Sequence, residues 1–403
     1  MATAYPKTGT MAKLNFFLRQ NSKMVLIVSA ALAFVSIVSL DLIQGGSSGG
    51  LRFSRSFIHF GGAAHKGYFT TDASVVNDHT FRFAAVTDLD QLSRIDSSSK
   101  PKFKSILLPG TITKDVTTNK YSIKFDDKRE LTSSHNEAGR GMELSELTLF
   151  NNRLLAFDDR TGSVFEILNE KDGKQSFVVP RFVITEGEGD TDKGMKWEWA
   201  TVKNGDLYMG SMGKEYTNKD GSVANTNNLW VSILTPRGEL RRINWLDKFQ
   251  YVRTALNASP SGYCIHEAIL WSDHLNKWVF IPRRISSEPY DENKDERMGS
   301  NKILLVDEHF TSHKIVDIKM KELDPLHGFS SIAFIPGSQD KHILAIRTVE
   351  EDCVGGEETC KQRSYFLVFD VLTGEVLLDE TKYPDDLKFE GVEFVDIYTP
   401  PTP

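Results

Sequence analysis

Five polar side chains stand alone inside apolar, strand-like runs, at intervals of about sixty residues. They are Ser145, Glu198, Glu267, Ser330 and Glu390. A polar side chain in a run of β-forming residues is costly to bury unless something binds it. Carboxylate and hydroxyl oxygens, with no cysteine or paired histidine among them, are ligands for a hard cation such as calcium. The alternative is five unrelated polar residues at strand ends.

A second candidate is a pair of carboxylates at the end of an apolar run. Asp88 and Asp90 follow the segment 83–87, and their i, i+2 spacing puts both on one face of an extended chain. Two carboxylates on one face can share a cation or a water molecule. An acidic turn at a strand end is the alternative interpretation.

A third candidate is a pair of arginines after an apolar strand. Phe280 and Ile281 lead through a proline into Arg283 and Arg284. A guanidinium group is the natural bidentate partner of phosphate oxygens. The alternative is a surface ion pair.

The elements that must position these residues are predicted to be short β-strands. Residues 153–157 and 163–167 are apolar strands around a polar turn, and residues 365–369 and 375–378 repeat the pattern. The best helical segment is 246–256. Many short strands without β-α-β alternation indicate a sandwich or a propeller. The sixty-residue period favours an all-β, five-bladed β-propeller, with one polar residue on each inner strand.

The N-terminal segment predicts a membrane anchor. The first forty residues carry four basic side chains and no acid, and residues 24–40 are uncharged. We predict a cytosolic tail (1–23), a transmembrane signal anchor (24–43), a flexible stem (44–70) and a luminal propeller (71–403). A cleaved signal peptide, which would make the protein secreted, is the alternative.

Composition restricts the partners of the luminal part. The whole chain has 55 acids and 48 Lys and Arg, and four of these bases lie in the first forty residues. The part after residue 40 therefore has 55 acids and 44 bases, a balance of −11 that argues against nucleic acid. Of the three cysteines, Cys353 and Cys360 are predicted to form a disulfide across a hairpin tip, and Cys264 to be a buried free thiol. Asn257 begins a glycosylation sequon that the following Pro260 weakens.

Familiar catalytic motifs are absent from the sequence. His266-Glu267 lacks the second histidine of a zincin, and the segment 210–214 lacks the spacing of a P-loop. The Gly-x-Ser-x-Gly pattern occurs only in the Gly/Ser-rich spacer at 45–50, which is not a nucleophile elbow between a strand and a helix. Hydrolysis would therefore use water activated by a metal ion and a carboxylate.

Taken together, these segments resemble the calcium-activated nucleotidases, or apyrases of the bed-bug type. The matching segments are Asp88–Asp90, Gly139–Leu147, Asp158–Gly162, Gly213–Glu215, Ile265–Glu267, Pro282–Arg284, Asp295–Arg297, His327–Ser331 and Glu390–Phe394. The resemblance implies a five-bladed propeller with central calcium. It also implies calcium-dependent hydrolysis of nucleoside di- and triphosphates, with UDP and GDP preferred.

The resemblance also implies roles for individual residues. The calcium ligands fall on the five positions chosen above from spacing: Ser145, Glu198, Glu267, Ser330 and Glu390. Asp88 and Asp90 match the active-site acids, and Arg283 matches the phosphate-side arginine. Glu146 and Asp158 lie in matched motifs and are added as catalytic candidates.

Two other functions stay open from the sequence. One is a non-catalytic, calcium-bound propeller that binds a protein or glycan, and the other is a propeller hydrolase of lactones or organophosphates. The expected cofactor is Ca²⁺. The expected partners are a nucleotide, the membrane of the Golgi or endoplasmic reticulum and a second copy of the chain in a homodimer; no nucleic acid is expected.

Overall fold

The computed structural model describes residues 69–95, 100–170, 173–218, 222–259, 261–351 and 360–398. All of them belong to the compact unit Ala63–Pro403. The predicted tail (1–23), the predicted anchor (24–43) and nearly all of the predicted stem (44–70) lie outside the described residues. Among the residues that the structure describes, no helix combines the length and apolar character needed to cross a membrane.

The first blade follows a short helix, α1 (Thr71–Ser74). Its strands are β1 (Val75–Asn77), β2 (Thr80–Thr87), β3 (Phe103–Lys114), β4 (Tyr121–Phe125) and β5 (Arg129–Ser133). Strands β2, β3 and β4 are neighbours in an antiparallel sheet, while β1 pairs with β2 and β5 with β3. A 3₁₀ turn, Asp90–Ser93, follows β2 and carries the second of the two predicted acids.

The second and third blades are antiparallel sheets whose strands pair in chain order. The second contains β6 (Leu144–Phe150), β7 (Arg153–Asp158), β8 (Ser163–Asn169) and β9 (Ser176–Val183). The third contains β10 (Trp199–Lys203), β11 (Asp206–Gly210), β14 (Trp230–Leu234) and β15 (Leu240–Asn244). Inserted between β11 and β14 are the hairpin β12 (Tyr216–Thr217) and β13 (Val223–Asn225) and a 3₁₀ turn (Asn227–Leu229). Helix α2 (Leu246–Ala255) then follows, which confirms the predicted helix.

The fourth and fifth blades have the same antiparallel order. The fourth contains β17 (Ile269–Ser272), β18 (Lys277–Phe280), β20 (Lys302–Asp307) and β21 (His313–Asp317). The small sheet of β16 (Tyr263–Ile265) and β19 (Arg284–Ser286) accompanies it, with the short helix α3 (Glu292–Asp295). The fifth contains β22 (Gly328–Phe334), β23 (His342–Glu351), β24 (Lys361–Asp370) and β25 (Val376–Lys382).

The last strand, β26 (Phe389–Glu393), closes the ring of blades. It pairs with β2 of the first blade, with Ala84 opposite Glu393 and Thr87 opposite Phe389. The innermost strand of the first blade thus comes from the C-terminal end of the described chain, and closure leaves no blade without a neighbour. Each of the five sheets then has four main strands, so the predicted five-bladed β-propeller is confirmed.

The hydrophobic core consists of five clusters, one between each pair of adjacent blades. Successive strand residues alternate between them: Phe83 packs toward the fifth blade, and Ala84 toward the second. Both faces of the inner strands are therefore buried, and these strands are largely apolar, whereas the outer strands β9, β15 and β21 expose much of their length. Cys264 is buried and free, as predicted, and Cys360 is disulfide-bonded; Cys353 lies outside the described residues.

Candidate active site and metal centre

The five predicted cation ligands lie at or just before the N-terminal ends of the innermost strands, one in each blade. Ser145, Ser330 and Glu390 are among the first three residues of β6, β22 and β26, whereas Glu198 and Glu267 come just before β10 and β17. These five strands contact one another in sequence around the centre of the propeller. The sixty-residue spacing therefore reflects one equivalent position in each blade.

Irregular strand pairing helps to aim three of these side chains. The pairing register shifts at Ser145, between its neighbours in β6, and again at Ser330 in β22. A third shift falls at Glu390, which has no pairing partner between Phe389 and Gly391 where β26 pairs with β2. A β-bulge turns a side chain away from the regular alternation of a strand, and bulges often occur next to active sites.

Direct contacts connect the ring of candidate ligands. The Ser145 hydroxyl donates to Glu390 Oε2 over 3.4 Å, and the Ser330 hydroxyl donates to the Phe389 carbonyl over 3.1 Å. Arg283 Nη1 lies 2.5 Å from Glu267 Oε2 and 3.0 Å from Glu390 Oε1. The predicted phosphate-side arginine is therefore next to two of the predicted metal ligands.

A glycine makes room for this arginine. A Cβ atom on Gly328 would lie 2.5 Å from Arg283 Cγ and 2.5 Å from Arg284 Nη1. A larger residue at the start of β22 would displace the Arg283 side chain, and the tip of Arg284 would have to shift as well. Arg283 also contacts Glu350 Oε2 over 3.0 Å, at the end of β23.

The two predicted active-site acids lie side by side beside this ring. Asp88 directly follows β2, and its Oδ1 accepts from the backbone N–H of Asp90 over 2.8 Å. Asp90 adopts a left-handed conformation, with φ of 47°, which an aspartate tolerates better than most residues. Lys388 Nζ binds both acids, at 2.7 Å from Asp88 Oδ2 and 2.9 Å from Asp90 Oδ2. The same Nζ lies 2.8 Å from Glu350 Oε1.

A third buried acid completes this group. One oxygen from each of Asp88, Asp90 and Glu143 lies within 4.8 Å of the other two, and all three residues are buried. Burial, with the charge of Asp88, raises the pKa of Asp90 and of Glu143 to about 8 each. Arg140 Nη2 binds Glu143 Oε2 at 2.5 Å and offsets part of that effect.

A lysine connects this group to the ring. Lys196 Nζ lies 2.8 Å from Glu198 Oε1 and also forms an ion pair with Asp159. Burial opposes the charge of Lys196, but Asp159 and Glu198 raise its pKa well above the ordinary value. Burial raises the pKa of Glu198 to about 8, with Glu267 and Asp159 contributing.

The structure places the two remaining candidates outside this group. Asp158 is fully buried at the end of β7 and accepts from the backbone N–H groups of Met142, Arg160 and Thr161. Those bonds hold the turn after β7 against the segment before β6. Glu146 accepts from the Ser331 hydroxyl over 2.9 Å, between the inner strands. Neither residue belongs to the group of Asp88, Asp90 and Glu143, and each makes contacts that stabilise the surrounding backbone or strands instead.

Comparisons with known proteins place this arrangement in a family. The family model described as Apyrase matches residues 89–395. The chain is 40% identical over 317 residues to an apyrase from Cimex lectularius, a match that covers 78% of this chain and 82% of that one. The chain belongs to the apyrase family.

Two further relatives in this family have comparable similarity. The soluble calcium-activated nucleotidase 1 of Rattus norvegicus is 38% identical over 319 residues, covering 78% of this chain and 74% of that one. An apyrase from Phlebotomus duboscqi is 34% identical over 313 residues, covering 77% and 88%. All five ring positions, Asp90 and Arg283 lie inside the segment that the apyrase model matches, and Asp88 directly precedes it.

The residues of this apyrase-family site fit a hard divalent cation. The donor groups in the ring are carboxylates and hydroxyls, which calcium prefers. Burial raises the pKa of Glu390 and of Glu267, because each negative charge lies in a poorly solvated site beside other acids. A bound cation would stabilise these carboxylates in their charged form.

The sequence analysis missed several residues of the site. Lys196 and Lys388 each stand two positions before a ring glutamate, Glu198 and Glu390, and that repeated Lys-x-Glu spacing was a usable signal. Glu143, Arg140 and Asp159 lay inside the family motifs, although nothing set them apart there. Glu350 ends an ordinary strand and carried no signal.

Proposed function

We propose that the protein hydrolyses phosphoanhydride bonds of nucleoside di- and triphosphates with the help of calcium, and prefers UDP and GDP. One observation carries the proposal. Asp88, Asp90 and Glu143 form a buried acidic group that Lys388 connects to the ring ligand Glu390, and Arg283 lies beside Glu390 and Glu267 in the same ring. Membership of the apyrase family supports nucleotide phosphates as the substrate class.

Each group of residues has a separate role in this proposal. Calcium held by the ring would supply positive charge toward the polyphosphate oxygens. Arg283 presents a guanidinium that can bind phosphate oxygens bidentately and stabilise the charge that develops on the transferring phosphoryl group. Lys388 adds a second positive charge next to Asp88 and Asp90.

The acids Asp88 and Asp90 orient the attacking water. The backbone N–H of Asp90 holds one oxygen of Asp88, and Gln362 Nε2 donates to Asp90 Oδ2 over 2.8 Å, so both carboxylates are held in place. Burial raises the pKa of Asp90 to about 8, close to the pH at which a general base works best. In this proposal Asp88 or Asp90 orients the attacking water and accepts its proton.

The proposed location is the lumen of the Golgi or endoplasmic reticulum, with residues 24–43 as an uncleaved signal anchor. Two observations support a secretory route. Cys360 is disulfide-bonded, and disulfides persist in oxidising compartments. Asn257, the sequon residue, is exposed just after helix α2.

A nucleotide panel tests the proposed activity. The full chain is assayed for phosphate release from UDP, GDP, ADP and the corresponding triphosphates, with calcium, with magnesium and with a calcium chelator. We expect calcium-dependent release that is fastest from UDP and GDP. Absence of release from every nucleotide in calcium would refute the proposal and favour a binding propeller. Equal release in the chelator would refute the calcium dependence alone.

A further inference from the structure

We infer that Asp88, Asp90, Glu143 and Asp159 form a second divalent-cation site, beside the ring and distinct from it. The ring ligands come from the innermost strands. These four acids come instead from the end of β2, the segment before β6 and the turn after β7. The existence of this site does not depend on the proposed function. Its role does, because we assign the site to bringing a second cation to the polyphosphate of the nucleotide.

The spacing of the oxygens is that of a cation site. One oxygen from each of Asp88, Asp90 and Glu143 lies within 4.8 Å of the others. Calcium–oxygen distances are about 2.3–2.6 Å, so ligands on opposite sides of one ion are about 5 Å apart. Three carboxylate oxygens within 4.8 Å of one another can share a single ion.

An unpartnered oxygen supplies independent support. Asp159 Oδ1 is buried and has no hydrogen-bond partner, while the other oxygen of that carboxylate pairs with Lys196. Only 10% of the Asp159 side chain is exposed. The charge of Asp159 repels that of Glu143, and the charge of Asp88 repels that of Asp159. The backbone N–H of Asp159 also donates to the Glu143 carbonyl over 2.9 Å. A buried carboxylate oxygen without a donor is costly, and a cation would satisfy it.

The whole site contains more acids than bases. Its eight acids are Asp88, Asp90, Glu143, Asp159, Glu198, Glu267, Glu350 and Glu390, and its five bases are Arg140, Lys196, Arg283, Arg284 and Lys388. Lys388 and Arg140 contact the trio of Asp88, Asp90 and Glu143, but Lys388 also binds Glu350 at 2.8 Å, and Arg140 lies 3.8 Å from Asp90 Oδ1. A divalent ion would add positive charge where acids outnumber bases.

The test is the number of calcium ions bound by the full chain without nucleotide. Equilibrium dialysis is performed on the wild type, on Asp159→Asn and on Asp90→Asn, with Asp317→Asn as the matched control. Asp317 is an exposed aspartate paired with Lys302, far along the fourth blade from the site. Melting curves with and without calcium show which proteins are folded.

We expect two calcium ions per chain for the wild type and for Asp317→Asn, and one for each of the other two variants. Melting should still rise with calcium in both variants, because the ring keeps its ligands. A single ion in the wild type overturns the second site, whatever the variants do. Two ions in both Asp159→Asn and Asp90→Asn also overturn it.

The outcome is separable from the proposed activity. If the wild type binds one calcium ion and still hydrolyses UDP, the second site is refuted and the proposed function is supported. If it binds two ions and hydrolyses no nucleotide, the second site is supported and the proposed function is refuted.

Discussion

Replacing Lys388 with methionine removes the base that contacts the most acids in the site. Its Nζ lies within 2.9 Å of an oxygen from each of Asp88, Asp90 and Glu350. Only 4% of the Lys388 side chain is exposed, so solvent cannot take over its role. Methionine has nearly the same length and shape, which limits the change to the loss of charge and of the three contacts.

The size of the effect follows from these contacts. Breaking a buried ion pair by removing one partner costs about 3–5 kcal/mol, because a buried charge is left uncompensated. The unit Ala63–Pro403 has about 340 residues, and an unfolding entropy of about 2.1 cal/mol/K per residue totals roughly 0.7 kcal/mol/K. The expected fall in Tm in the presence of a calcium chelator is therefore about 4–7 °C.

Differential scanning fluorimetry in chelator and in calcium measures this effect. The control is Lys302→Met, which removes an exposed lysine paired with Asp317 and should lower Tm by less than about 1 °C. Calcium should raise Tm more in Lys388→Met than in the wild type, since the acids left behind attract a cation more strongly. Equal Tm values for the two methionine variants in chelator would refute the structural role assigned to Lys388.

Three other predictions concern chemistry, reactivity and topology. Asp88→Asn should lower turnover of UDP by about 10²–10⁴-fold, and Arg283→Lys should lower it while the fold stays intact. Both variants should melt at a higher temperature in calcium than without it. Near-normal turnover in Asp88→Asn would remove Asp88 from the mechanism. Burial raises the pKa of Cys264 to about 12, so a thiol-alkylating reagent should modify it only after unfolding, and rapid labelling of the native protein at pH 8 would contradict its burial. If residues 24–43 are an anchor, the propeller should resist protease in intact microsomes and be cleaved after detergent, whereas a mature N-terminus beyond Ile43 would indicate secretion.

Much of the fold could be predicted because each blade repeats the same physical problem. The innermost strand of each blade begins near the polar centre of the propeller. Each therefore has one acid or hydroxyl at or near its start, inside an otherwise apolar run, and this pattern recurs once per blade. Ser145, Glu198 and Glu267 were recognisable for that reason, although their own strands are short. The closure by β26 was not readable, because pairing between Thr87 and Phe389 joins residues about 300 positions apart.

The residues of the candidate site also divide into those that the sequence could predict and those that only the folded structure reveals. Asp88 and Asp90 could be chosen because two carboxylates end an apolar run. The structure brings them together through the 3₁₀ turn that begins at Asp90, and not through the strand alternation that the spacing predicted. Glu350 could not, since it ends β23 and only the packing of the fifth blade brings it between Arg283 and Lys388. Asp158, chosen from a family motif, accepts three backbone N–H groups, and only the folded structure shows these contacts.

By itself, the sequence determined the number of blades, the candidate oxygen ligands for a hard cation and the residues of the family motifs. Those properties depend on local alternation and on a period, which a linear chain displays directly. The tertiary structure alone decided which acids share a base and which oxygens remain unpaired, as for Lys388 and Asp159 Oδ1. These relations depend on distances between blades and on exclusion of water, and a carboxylate's charge in the folded protein depends on both.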